Sequence, residues 1–559
     1  MDQTCTQCSA QFEITDEDLA FYGMVSPTFN GKKHLLPPPK MCPDCRDQRR
    51  LLFRNLRKLY TRKCDFSGDS ILSCYSPNGP MTVYKKEDWW SDGWDPLSYG
   101  RDYDFDRPFF EQFTELYHSV PVLHLYHTLC ENCDYINGAG KCKNCYLCFN
   151  LDYGEDSLYI ADSMHIRWCV DCLSINNCEL CYECVECENC YHTLYSSRSA
   201  NCRDSYFLQE CRRCADCIGC CNLVDKQYCI FNKQVSKEEY LGQKSQLLKP
   251  QNLAEKSKRA RELSLQLPKN YYFGHSNEDF SGENIIHAKN CHNCFDIIEA
   301  ENCKHCHYNG NIKNCMDHTI FGDNSEWIYN CLATGTNCSN NSFCFYCWDG
   351  SSNNLYCHLV NASKNCFGCC CLNAKKYCIL NKQYTKDEYE EIVPRIIEHM
   401  QSSGEWGEFF PKEASPYGYN ETVAQEYFPL DNEEALSKGY TWREEPKAPP
   451  ITTKVIPGSR IPDSIADVPD DILNWAIECN ESGRSFKITT QELTFYREHD
   501  IPCPSLHPDI RHFKRIDIRN PRHLWSRSCQ KCNKAIQTSY SPERPEIVYC
   551  EECYLAEVY

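Results

Sequence analysis

The chain has 559 residues, 78 acidic against 59 basic side chains, a formal charge of -19 and 42% hydrophobic residues, which is enough apolar content and length for several folded domains. No stretch approaches the roughly 18 apolar residues of a membrane span, and the start, MDQTCTQCSA, lacks the basic and apolar regions of a secretory leader. The expected location is therefore the cytoplasm, where the 46 cysteines serve as free thiols or metal thiolates and not as disulfides. The acidic balance excludes an overall basic surface, although a local basic patch still binds phosphate.

Residues 1–94 open with Cys5-Thr-Gln-Cys8 and continue to Cys42-Pro-Asp-Cys45. Four thiolates from two CxxC turns satisfy tetrahedral zinc and leave no coordination position open to substrate, so the site is expected to be structural. The second pair opens a predicted helix, which implies treble-clef or zinc-ribbon geometry. Eight basic residues against one acid, Asp47, fill Arg46 to Lys63. Arg46, Arg49 and Arg50 fall three and four apart on one helical face, with Arg54 and Arg57 following.

Residues 95–129 are expected to be a helical cap, because RPFFEQFTELYHSV is amphipathic and suits the open end of the array that follows. From Cys133 the chain writes as twelve-residue rows whose first position is always small: Cys133, Cys145, Ser157, Cys169, Cys181, Thr193, Ser205, Cys217, Cys229. A fixed short period means coils stacking on their neighbours. Positions one, four, seven and ten hold small or branched apolar side chains, so each row reads as one turn of a narrow β-solenoid over residues 130–248. A three-residue side spans only about 10 Å, and a buried cysteine fits that lumen as a small hydrophobe. Ser236 with Glu239 has capping-box spacing for a closing helix.

Residues 249–281 contain the charged helical segment AEKSKRARELSLQL, expected to be a spacer, with a docking helix as the alternative. A shift of 149 residues places Cys142 and Cys145 on Cys291 and Cys294, and Cys217, Cys220, Cys221 and Cys229 on Cys366, Cys369, Cys370 and Cys378. Residues 282–400 are thus a second solenoid, with a thirteen-residue step at Cys331, Cys344 and Cys357, and Thr385 with Glu388 marking its closing helix. Residues 401–470, rich in Pro, Gly and Glu, read as an extended linker.

Residues 471–559 repeat the amino-terminal module with the opposite losses. Cys5, Cys8, Cys42 and Cys45 fall on Cys479, Ser482, His507 and Ile510, whereas Cys529, Cys532, Cys550 and Cys553 form a second tetracysteine set of which the first copy keeps Cys64. Arg511, Arg515, Arg519 and Arg522 match Arg46, Arg50, Arg54 and Arg57. About two zinc ions per chain are expected. The retained arginines suggest docking on nucleic acid, RNA of the ribosome or DNA, because guanidinium forks suit phosphate. The competing expectation pairs them with acidic segments of the chain, such as Asp102 to Pro108.

With CPDCRDQRRLLFRN, EDWWSDGWDPLSYGRDYDFDRPFFEQF and NKQYTKDEYEE in view, the chain resembles a family of cysteine-rich zinc-ribbon proteins of reduced-genome, candidate-phyla bacteria. The resemblance implies a metal-binding type and no particular activity. The fold expected is mainly β: two narrow solenoids with helical caps, flanked by small zinc modules. The function expected is a non-enzymatic zinc-binding scaffold that docks on nucleic acid. The alternatives are a thiol-rich metal or redox reservoir and a protein interaction scaffold. No phosphate-binding glycine loop, HExxH or nucleophile elbow points to an enzyme.

Overall fold

The computed structural model describes residues 1–444, 452 and 454–558, and is mostly strand, with twelve α-helices among the described residues. The twelve-residue period of the sequence is the pairing register of the backbone. Phe149 pairs in parallel with Ala161, Thr193 with Ser205 and Cys217 with Cys229. Isolated parallel bridges such as Leu158 to Val170 and Val170 to Tyr182 carry the same step between the longer strands.

The turning of the chain has a local cause. Every third residue from Asn132 to Phe231 adopts a left-handed conformation, including Asn144, Asn150, Asp156 and Asp171, with Gly138 and Gly219 filling two of the positions. Left-handed backbone costs L-residues roughly 1–2 kcal/mol, least for Asn and Asp. Inter-turn hydrogen bonds offset that cost: Glu131 donates to the Cys142 carbonyl at 2.9 Å and accepts from Asn144 at 3.0 Å. Each such bond contributes roughly 0.5–1.5 kcal/mol net, and the pattern recurs at each triplet.

The first residue of each triplet faces inward, which explains the small side chains. Cys169, Cys172, Ile175, Cys178, Cys181 and Cys184 form one buried column. Each thiol also acts as a weak donor: Cys178 Sγ lies 3.3 Å from the Asn176 carbonyl and 3.6 Å from that of Cys187 in the next turn. Serine substitutes in kind, since Ser163 Oγ donates to Ala161 and accepts from the Ile175 amide. No cysteine of the chain is in a disulfide. In the second array the register lengthens to thirteen from His318 to Cys331 and from Phe345 to His358, and the Cys331 thiol then reaches ten residues ahead, to Asn341, at 3.5 Å.

Helices Lys237–Leu247 and Lys386–Ser403 follow the last turns. Thr385 and Glu388 make the reciprocal capping box, whereas Ser236 caps Glu239 without a return bond, because the Glu239 carboxylate is taken by Gln243.

Three expectations are corrected. The Phe109–Ser119 helix does not cover the start of the first array; its rings pack on the second, with Phe109 5.2 Å from Tyr356 and Tyr117 5.5 Å from Phe345. The charged segment within Pro250–Leu265 is no bare spacer, since Arg259 stacks 3.8 Å over Phe231 and Cys221 donates to the Ala260 carbonyl. Residues 404–443 are not an extended linker: Trp406, Phe409, Phe410, Tyr417 and Tyr419 are buried in the main apolar core. Residues 454–470 are not extended linker either, since Val455–Pro457 pairs with Ala476–Glu478 and Ile465 and Val468 are buried; 445–451 and 453 lie outside the described residues.

Because the lumen is filled by small side chains, Cys184→Leu is expected to cost about 1–3 kcal/mol through overpacking, whereas Cys184→Ser, which keeps size and donor, costs less. Thermal denaturation of the two variants gives the comparison.

Candidate metal centres

Cys5 and Cys8 sit on a tight knuckle in which Ser9 donates to the Cys5 carbonyl at 2.9 Å and Cys5 to that of Ala10 at 2.9 Å. Cys42 is the N-cap of helix Pro43–Leu51, and Cys45 lies in its first turn. The four sulfurs lie within 4.8 Å of one another, with Cys8 and Cys42 Sγ at 3.7 Å. The carboxy-terminal set repeats this: Asn533 donates to Cys529 at 2.9 Å, Cys550 and Cys553 open helix Glu551–Val558, and Cys532 and Cys550 Sγ are 3.6 Å apart. Sulfurs at about 2.3 Å from a tetrahedral ion stand about 3.8 Å apart, so both sets fit such an ion. Hydrogen bonding, first from the Cys45 thiol, brings the Cys42 thiol down to about 5. At Cys529 burial pushes upward, but the amides of Cys532, Cys550 and Lys531 outweigh it and hold the thiol at about 6. The neighbouring thiols are pushed up, Cys8 and Cys45 in the first set and Cys550 and Cys553 in the second, so one sulfur of each set is shifted toward the thiolate that a metal requires.

The two incomplete copies keep the knuckle with one cysteine each, Cys64 and Cys479. Gly68 donates to the Cys64 carbonyl at 2.9 Å and Asp65 to that of Val83 at 2.9 Å, as Asn533 and Gln530 do in the complete copy. Ser67, Lys85 and Asp88 occupy the places of Cys532, Cys550 and Cys553. The Lys85 amide donates to Cys64 Sγ at 3.3 Å, and its ammonium meets Asp69 at 2.5 Å and Asp88 at 3.8 Å. The ammonium thus pairs with Asp88, at the place of Cys553, and with Asp69, which lies outside the four ligand positions. In the other incomplete copy Cys479 keeps its knuckle bonds to Gly483 and Arg484, beside His507.

The arginines expected to meet nucleic acid are turned inward, onto partners within the chain. Arg46 forms a fork on Asp317 at 2.9 and 3.1 Å. Arg50 reaches Thr319, Asn330 and Asp47, and Arg54 reaches Asn150 between the rings of Phe321 and Tyr346. Arg57 pairs with Asp509 at 3.2 Å, and the half-buried Arg49 donates to Gln7. In the second copy Arg511 pairs with Asp171 and stacks on Tyr159, and Arg515 joins Asp171 and Glu183 at 2.9 and 3.2 Å. Arg519 bridges Glu186 and Asp296, and Arg522 takes Asp296 at 3.0 Å. Burial pushes the Asp296 carboxyl upward, but Arg519 and Arg522 overturn this and hold it well below the usual range.

Most of the partners come from the arrays, and the two arginine helices dock in a crossed pattern. The amino-terminal helix docks on the second array, while the same module's Val83–Tyr84 strand pairs with Val122–Leu123 at the entry of the first. The carboxy-terminal helix docks on the first array, while Val548–Tyr549 pairs with Lys269–Asn270 at the entry of the second. Sequence reasoning missed Asp171, Glu183, Glu186, Asp296 and Asp317. All five sit at left-handed corners, facing outward, and the twelve-residue spacing of Asp171 and Glu183 was the available signal.

No family model matches the chain, and no curated protein matches it. Among solved structures, one described as an acetyltransferase from Desulfovibrio desulfuricans G20 aligns at 11% identity over 39% of this chain and 65% of that one, less than two thirds of it, with a TM-score of 0.10. That similarity carries no functional argument, and the zinc-ribbon resemblance rests on motifs alone.

Two predictions follow from this geometry. Asp317→Asn leaves the buried Arg46 guanidinium without its carboxylate, while Arg50 keeps Asp47, and is expected to cost about 3–5 kcal/mol, read from denaturant unfolding. Cys42→Ser is expected to lower the metal content by one ion per chain, and Ser67→Cys with Lys85→Cys and Asp88→Cys to raise it by one, read by native mass spectrometry.

Proposed function

We propose that the protein is a non-enzymatic scaffold: two thiol-cored β-solenoids locked together by two zinc-bound modules, offering its acidic surface to protein partners in a reducing compartment. The observation that carries this reading is the inward engagement of the module arginines. Arg46, Arg50, Arg54, Arg511 and Arg515 are buried, so their charge stabilises the joint between modules and arrays and is not presented to phosphate. Zinc is the ion favoured by a closed tetrathiolate set. The reservoir alternative finds less support, because among the described residues only the two terminal sets bring three or more ligand groups together, while array thiols bond individually to backbone carbonyls.

A gel-shift series with RNA and DNA tests the reading. The expected outcome is no retention even at low salt; retention that falls steeply with added salt is the signature of phosphate contacts and would return the function to nucleic-acid docking. Metal analysis is expected to find two zinc ions per purified chain, and many more would favour the reservoir.

A further inference from the structure

A turn inside either array is bonded to a neighbour on both sides, and a turn at an array's end leaves one side bare. Both exits are closed by the chain itself. Gln227–Ile230 and Lys376–Ile379 are each paired by a returning antiparallel strand. Asn232 and Asn381 supply missing rungs, each accepting from a cysteine amide at 2.8 Å and donating to the same residue's carbonyl, at Cys221 and Cys370. The entry of the second array is irregular. Glu278 and Phe280 pair eleven residues ahead and Gly282 twelve, and the break between them spoils the even spacing on which another coil would build.

The entry of the first array is regular and uncovered. Its edge turn keeps the twelve-residue step, with Glu131 opposite Lys143 and Asp134 opposite Tyr146. Deeper in the array the amide of a left-handed residue donates to the preceding turn, as Asn144 does to Glu131, and the carbonyl of an inward residue accepts from that turn, as Cys142 does from Glu131. At the edge no turn precedes. The amides of Leu129 and Asn132 and the carbonyls of Cys130 and Cys133 therefore have no backbone partner among the described residues, and they point off the end of the coil. Leu129, 73% exposed, is the most exposed large apolar side chain of the described residues, and Tyr135 on the same turn is 46% exposed.

Two properties of this edge define its occupant. The free groups step by three residues and change direction at each left-handed corner, so a flat strand meets those on one side only, whereas another coil meets them all. Read from 129 to 133 they run donor, acceptor, donor, acceptor, and the reversed order is the complement. With both exits closed and the second entry broken, the matching coil is this same edge on another copy. We propose that the protein is a dimer in which the first turns of two first arrays stack head to head about a two-fold axis, carrying the coil-on-coil contact of each array across the boundary between molecules. Such an isologous contact closes at two chains, removes a regular edge that would otherwise template strand addition, and covers Leu129 and Tyr135.

The test is the mass of the full chain, with both terminal sets loaded with metal, measured by light scattering over a concentration series. Wild type is expected at twice the chain mass, and Leu129→Lys/Tyr135→Lys at one chain mass with the circular dichroism of wild type. Wild type at one chain mass throughout overturns the proposal, as does a dimer that the double variant leaves intact or an assembly of more than two chains. The variant is expected to fold, because Lys141 and Arg213 hold the same left-handed phase further along the array. Should it unfold, hydrogen exchange of wild type decides: protection of the Leu129 and Asn132 amides, which have no backbone partner within the chain, supports the contact, and rapid exchange of both at the highest concentration refutes it.

Discussion

Everything in this molecule follows from a lumen that admits one small side chain per three residues. A triplet of two extended residues and one left-handed residue turns the chain, and four triplets bring it back above itself. Cysteine meets the resulting demand in two ways at once, being compact and apolar while its S–H caps carbonyls of its own turn and the next. The same geometry throws the left-handed residue outward, and at Asp171, Glu183, Glu186, Asp296 and Asp317 that residue is acidic. A constraint on the inside thus places carboxylates on the outside.

Those carboxylates join the protein together. Buried ion pairs pay a large desolvation cost and are weak evidence for stability, but breaking one is expensive. Here they are forked, shared and backed by rings: Asp296 takes both Arg519 and Arg522, and Arg522 lies 3.8 Å over Tyr427. Such geometry penalises any other docking of the modules, because a shifted helix would strand several guanidiniums at once. In the amino-terminal module Cys42 and Cys45 open the helix that carries Arg46 and Arg50, whereas the carboxy-terminal arginine helix is capped by His507 and carries no cysteine of its tetracysteine set.

The twelve-residue period, the duplication and the two tetracysteine sets were legible because each depends on spacing within a short stretch. The destination of the arginines was not, since Arg46 meets Asp317 and Arg511 meets Asp171 across hundreds of residues, and charge composition alone does not tell a phosphate ligand from a carboxylate partner. Residues 404–443 were misread because their Pro, Gly and Glu content masked Trp406, Phe409, Phe410, Tyr417 and Tyr419. The helix at 109–119 was recognised as amphipathic, but its aromatic face found a column of rings on the second array that no local pattern announces.

The crossed docking has a temporal side. Asp171 and Glu183 are threaded early, yet the guanidiniums that neutralise them belong to a helix near the carboxyl end. During synthesis the first coil must therefore wait, its carboxylates solvated, until the entire second coil has emerged. A truncated or stalled product is left with an uncompensated acidic flank, which sets it apart from the finished chain.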